Sequence, residues 1–125
     1  MIDVIVSDHT PEDEESKRLP FAQAATGSIG VETLLSLALE MYHNESLPLK
    51  KIIETLTINP AKILKINKGS LKTGNDADIC IFDLNKPWVV KADDLKSKSK
   101  NTAIEDRKLQ GKVIMTFLNG NLVYK

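Results

Sequence analysis

The stretch IDVIVSDHTP, residues 2–11, decides how this chain is read. Residues 2–7 are apolar and mostly β-branched, the composition of a strand buried on both faces. The run ends in Asp8 and His9, side chains that bind metal ions and move protons. A polar segment follows, residues 8–30, with two prolines, an acidic cluster at 12–15 and two glycines. Segments this long inside compact domains are usually functional or disordered.

Beyond that loop the pattern becomes helical. Val31, Leu34, Leu35, Ala38, Leu39 and Tyr42 fall on one face, predicting a helix over residues 31–44. Leu49, Ile52, Ile53 and Leu56 repeat the spacing over 48–56, with Pro48 suited to a first turn. Asn59-Pro60 reads as a cap and first helical position, opening a short helix through Leu64. From Gly69 the period changes. Residues 77–83 (ADICIFD) and 88–90 read as strands, and 112–118 and 122–124 flank Asn119-Gly120, a strong hairpin signal. Cys80, inside an apolar strand, is expected to be buried as a small hydrophobe. Trp88 is expected to pack in this β unit with its indole N–H on a carbonyl. His43 ends the first long helix, where a cation or hydrogen-bond donor suits the terminal carbonyls.

Composition narrows the function classes. The 125 residues suit one ordinary domain, and 17 basic against 17 acidic side chains leave no net field for nucleic acid or an anionic membrane. A single cysteine excludes an internal disulfide. No apolar run approaches the ~20 residues of a membrane helix, and no signal peptide is visible. The expected address is the cytoplasm.

An apolar strand ending in Asp8-His9, then a polar loop and an amphipathic helix, resembles the eighth barrel strand of the amidohydrolase superfamily. KRLPF (17–21), GVETLL (30–35), TINPAKIL (57–64), GSLKTGNDADICIFD (69–83) and SKSKNT (97–102) resemble, in order, its dihydroorotase branch. The resemblance implies an α/β fold: the C-terminal fragment of a metal-dependent (β/α)8 amidohydrolase barrel, residues 1–66, plus part of its flanking small β domain, residues 67–125. A whole barrel takes ~250 residues, so the expectation is a split or truncated gene product, or one half of a two-chain assembly. A core strand directly after Met1 favours truncation in this reading.

The resemblance also implies a chemistry. The family closes N-carbamoyl-L-aspartate reversibly to dihydroorotate, in pyrimidine synthesis, with zinc. Asp8 matches the aspartate that binds metal and serves as general base; on local sequence alone it reads as a loop acid or helix cap. His9 matches a neighbour that supports the site by hydrogen bonding, beside the plainer reading of a structural histidine. Phe21 and Ala22 match the pair whose backbone meets substrate. Glu12 stands where many relatives carry a substrate-binding histidine, which puts that role in doubt here. Lys17 or Arg18 is a candidate for the missing positive charge, against a solvated loop charge. A catalytic zinc needs about three protein ligands, and the family takes its others from earlier strands. With two histidines and no His-x-His, the chain alone is expected to bind metal weakly and to be inactive. Four readings compete: a dihydroorotase portion completed by a companion chain, a non-catalytic partner of aspartate transcarbamoylase, a gene remnant, and a hydantoinase, dihydropyrimidinase or allantoinase relative.

Overall fold

The computed structural model describes residues 2–125. Met1, on which the truncation reading rests, lies outside them. The elements in chain order are α1 (Glu14–Lys17), α2 (Leu34–His43), α3 (Leu49–Leu56), α4 (Ile58–Leu64), β1 (Ile79–Val89), β2 (Lys108–Leu118) and β3 (Asn121–Tyr124). A single 3-10 turn, Ala92–Asp94, lies between β1 and β2. The three strands form one antiparallel sheet in the order β1-β2-β3.

The apolar stripe of 31–44 forms α2, with Ala38 and Leu39 buried. Residues 31–33 are a turn rather than helix. Buried Thr33 donates its hydroxyl to the Gly30 carbonyl at 3.2 Å. The helix ends in a Schellman motif: the Ser46 amide donates to Met41 O and the Glu45 amide to Tyr42 O, each at 2.9 Å. The left-handed position is filled by Glu45 at φ 57°, where glycine is usual. The same device closes α4, with Lys65 at φ 55° and the Ile66 amide on Ala61 O at 3.0 Å. That helix starts earlier than predicted. Thr57 is its N-cap residue, and Asn59 and Pro60 lie inside the first turn, where an amide-less residue costs no intrahelical bond. Asn59 reaches across to the Asp3 carbonyl at 2.8 Å instead.

The two strands expected at 77–83 and 88–90 are one irregular strand, β1. Its register against β2 shifts between Ile81 and Phe82 and again between Asp83 and Pro87. The Asp83 carboxylate accepts the amides of Asn85 and Lys86 at 3.0 and 3.1 Å, holding the second irregularity. Pro87 fits because β1 is an edge strand. The Asn119-Gly120 hairpin forms as read, with both residues at positive φ, 49° and 78°, the requirement of a type I′ turn. Cys80 is a correction: it is exposed on β1, although partial desolvation still pushes its thiol pKa up. Side chains on a strand point to the two sheet faces, and Cys80 lies where its face is uncovered, so an apolar neighbourhood in sequence did not guarantee burial.

The strand predicted for residues 2–7 is a second correction. No strand is formed there. Ile2 and Val6 are 68% and 70% exposed. Pairing defines a strand, and among the described residues none lies beside this segment. Its one backbone tie to the helices is the Ile5 amide on Thr55 O at 3.1 Å.

Ile29, Val90, Leu95 and Leu109 make the core cluster, with Leu37, Trp88 and Ile104 packed against it. The helices meet the sheet at Gly111. Its carbonyl accepts the buried Ser36 hydroxyl of α2 and, at 3.2 Å, the Trp88 indole N–H. Gly111 has φ +93°, and a Cβ there would lie 2.4 Å from Leu39 Cδ1. We expect Gly111→Ala to destabilise the chain by about 1–3 kcal/mol through strain and overpacking, read as a lower urea midpoint at unchanged slope.

A second tie holds the segment before β1. Lys68 Nζ donates to Asp76 and Asp78 at 2.7 and 2.6 Å, and Asp78 also accepts the Asn119 amide at 2.8 Å. The lysine, then that amide, hold the Asp78 carboxyl below its ordinary 3.8. The two aspartates raise Lys68 above its ordinary 10.5. A depressed carboxyl stabilises the fold above its unfolded pKa, and that contribution goes as pH falls through the folded value. A raised lysine contributes fully below its unfolded pKa and loses that contribution as pH rises through the folded value. The denaturation midpoint should therefore decline on acidification below pH 3.8. Asp78→Asn should flatten that decline, checked by urea titrations at a series of pH values.

Candidate active site

The site is a seam between two loop segments, 7–10 and 27–30. The Thr10 amide donates to the Ser28 carbonyl at 3.0 Å. A Cβ on Gly27 would lie 2.6 Å from Thr10 O, and one on Gly30 would lie 2.9 Å from Ser7 O. The two glycines singled out in the sequence are there because the segments touch backbone to backbone.

Asp8 sits on this seam, exposed, with φ 46°. That left-handed conformation is uncommon for a non-glycine residue, and aspartate is among the few that tolerate it. Strain of this kind concentrates at functional positions. Its carbonyl accepts the Thr10 hydroxyl at 3.2 Å. His9 is half-buried, and its Nδ1 accepts the Gly30 amide at 3.1 Å and the Val31 amide at 3.4 Å. Accepting at Nδ1 leaves the ring proton on Nε2. His9 thus fastens the loop to the entry of α2.

A cleft of about 670 Å³ opens beside Asp8, walled by Val6, Ser7, residues 27–30 and the Leu34, Leu37, Ala38 and Met41 face of α2. It contains no lysine or arginine. Phe21 and Ala22 lie outside it, both exposed. They occupy the centre of a turn in which Pro20 O accepts the amides of Gln23 and Ala24 at 2.7 and 2.9 Å. Glu12 and Lys17 line a different cleft of about 800 Å³, with Lys98 and Lys100. Arg18 pairs with Glu14 on the surface. His43 Nε2 is buried without a hydrogen-bond partner, so the expected hydrogen-bonding role is absent for that atom; its ring stacks edge-on to Tyr42 at 5.4 Å.

Three residues at the site were not picked out for the contacts they make. Glu32 accepts the amides of Lys96 and Ser97 at 2.9 and 3.0 Å. Asn101 donates to Gly27 O at 2.9 Å and takes the Ile29 amide on its own carbonyl at 2.9 Å. Lys17 Nζ donates to Ala25 O and Gly27 O at 2.6 and 3.1 Å. GVETLL, SKSKNT and KRLPF therefore meet in space. No local signal announces this, because the Glu32 and Asn101 partners lie 64 to 74 residues away.

Among the described residues no three His, Cys, Asp or Glu side chains gather to hold a metal ion. Asp8 is one carboxylate, and the His9 Nδ1 is already occupied by amides. A catalytic zinc does not fit this set by itself.

The seam at Asp8 and the helices behind it are the α/β frame of the site, and comparison with known proteins gives its family. Residues 1–123 match the Amidohydrolase family, and the chain belongs to that family. Within it, the chain is 44% identical to the dihydroorotase of Ehrlichia chaffeensis, covering 100% of this chain and 28% of that protein. It is 45% identical to the dihydroorotase of Aquifex aeolicus, covering 100% and 29%. The chain thus spans between a quarter and a third of the length of these relatives. Among solved structures, dihydropyrimidinase from Brevibacillus agri superposes with a TM-score of 0.92 at 22% identity, over 98% of this chain and 28% of that one. L-hydantoinase from Arthrobacter aurescens gives 0.77 at 31% identity, over 83% and 24%. Among the described residues no helix is long and apolar enough to cross a membrane.

The absence of a strand partner for residues 2–7 among the described residues has a measurable consequence. Unpaired backbone beside exposed apolar side chains promotes association. The chain alone should self-associate in sedimentation, with fast amide exchange in residues 2–4. A monodisperse monomer with protected amides there would count against it.

Proposed function

We propose that this chain is the part of a dihydroorotase that carries the segment corresponding to the last barrel strand, its loop and helices, and part of the flanking β unit. The reaction is the reversible closure of N-carbamoyl-L-aspartate to dihydroorotate, in cytoplasmic pyrimidine biosynthesis. The single observation that carries this reading is dihydroorotase-level identity along the whole chain, 44% and 45%, with Asp8 strained and exposed at the cleft. The rest of the barrel, on a companion chain or a longer polypeptide, would supply the remaining ligands of a zinc ion, toward which this segment would contribute only Asp8.

Asp8 is the proposed general base. In ring opening, water adds to the cyclic amide carbonyl, the ring C–N bond breaks, and Asp8 takes the water proton and returns it to the departing nitrogen. Ring closure runs the same steps backwards. His9 holds the loop that carries Asp8, and the backbone of Phe21 and Ala22 meets the substrate. The hydantoinase and dihydropyrimidinase neighbours favour one second reading, a cyclic diamide of that class as substrate.

The test is an assay of N-carbamoyl-L-aspartate cyclisation, with dihydrouracil and hydantoin opening in parallel, on the chain alone and with the polypeptide supplying the other strands. Turnover is expected only in the completed assembly, and Asp8→Ala should lower kcat by about 10²–10⁴. Activity of the chain alone, or an unimpaired variant, overturns the proposal. Activity on the two diamides only selects the second reading.

A further inference from the structure

We infer that Lys17 is a positioning residue, which locks the loop presenting Phe21 and Ala22 to the rigid part of the fold. The inference rests on the proposed function for what the loop contacts, and on geometry for the lock. The loop is closed at its base twice. The Ala25 amide donates to Ser16 O at 3.1 Å, and Lys17 Nζ donates to Ala25 O at 2.6 Å. Phe21 and Ala22 stand at the turn between these ends.

The base is then tied outward. Gly27 O receives both Lys17 Nζ, at 3.1 Å, and Asn101 Nδ2, at 2.9 Å. Asn101 belongs to the segment whose amides Glu32 holds from the entry of α2. Ser99 adds its hydroxyl to Glu12 O at 2.6 Å. The lock thus runs from Ala25 through Lys17, Gly27 and Asn101 to the start of α2, the same point on which His9 holds Asp8.

This use of Lys17 differs from binding the substrate's negative charge. A half-buried ammonium donating to two carbonyls has spent two of its three donors. The lysine also lies in the cleft that does not contain Asp8. Charge-assisted bonds of this kind are stronger than neutral ones, so their loss should release the loop while leaving the helices folded.

The experiment combines amide exchange with kinetics. In the 125-residue chain, Lys17→Met should speed exchange of the Ala25 and Ile29 amides about tenfold, while Leu39 and Ile52 stay unchanged. Asn101→Ala, which removes the other donor to Gly27 O, should act on Ile29 in the same direction. It keeps the test open if Lys17→Met folds poorly. In the completed assembly, Lys17→Met should raise KM about tenfold with kcat within about twofold. Unchanged exchange in both variants overturns the lock. Unchanged exchange with a raised KM shows direct charge recognition instead and also overturns it. Should no assembly turn over any substrate, the functional reading fails, while the exchange data still decide whether Lys17 holds the loop.

Discussion

The Gly111 carbonyl is the point on which the arrangement depends. Two polar groups from different elements converge on it, the Ser36 hydroxyl of α2 and the Trp88 indole N–H of β1. Both need an acceptor once removed from water. One strand carbonyl serves both only because Gly111 lacks a side chain, so that Leu39 seats directly over it. The constraint fixes where α2 crosses the sheet. The entry of α2 in turn fixes Gly30 and Val31, whose amides hold His9. A contact within the helix–sheet interface therefore sets the place of Asp8, without either touching the other.

The same logic explains why the loops are ordered although few of their residues are buried. They are held mainly by side chains that donate to, or accept from, main-chain groups: Lys17, Asn101, Ser99 and Glu32. Each bond satisfies a backbone group that has no secondary-structure partner. A loop built this way tolerates variation at its exposed apex and little at its anchors. Phe21, fully exposed, contributes nothing to this network, which suits a residue kept for contact with something outside the chain.

Much of this was legible in the sequence where the determinants are local. The apolar stripes of α2 and α3 and the Asn119-Gly120 hairpin needed only neighbours within a few residues. Reading failed where a partner decides. Residues 2–7 have strand composition but no ladder among the described residues, and Cys80 is exposed because its sheet face is uncovered there. Glu45 and Lys65 end helices in a conformation for which sequence rules look to glycine. For the candidate site, the sequence offered the apolar run ending in Asp8-His9 and two glycines in the following loop; that Gly27 and Gly30 touch the 7–10 segment backbone to backbone was visible only in the fold. Lys17 was legible as a candidate positive charge or a solvated loop cation, and not as a tie between carbonyls, because its carbonyl partners carry no side-chain signature. Nothing in the chain's local pattern could pair Glu32 with Lys96.

Electrostatics sets a limit on what this segment can do alone. The cleft beside Asp8 carries that carboxylate and no cation. Three of the loop cations are committed elsewhere: Lys17 and Lys100 to main-chain carbonyls, Arg18 to Glu14. N-carbamoyl-L-aspartate bears two carboxylates, so this wall of the site by itself repels its proposed substrate. Chain neutrality at 17 against 17 charges hides the point, because the balance is global and the cleft is local. Under the proposed function, anion recognition would fall to backbone amides such as those of Phe21 and Ala22 and to groups outside this segment.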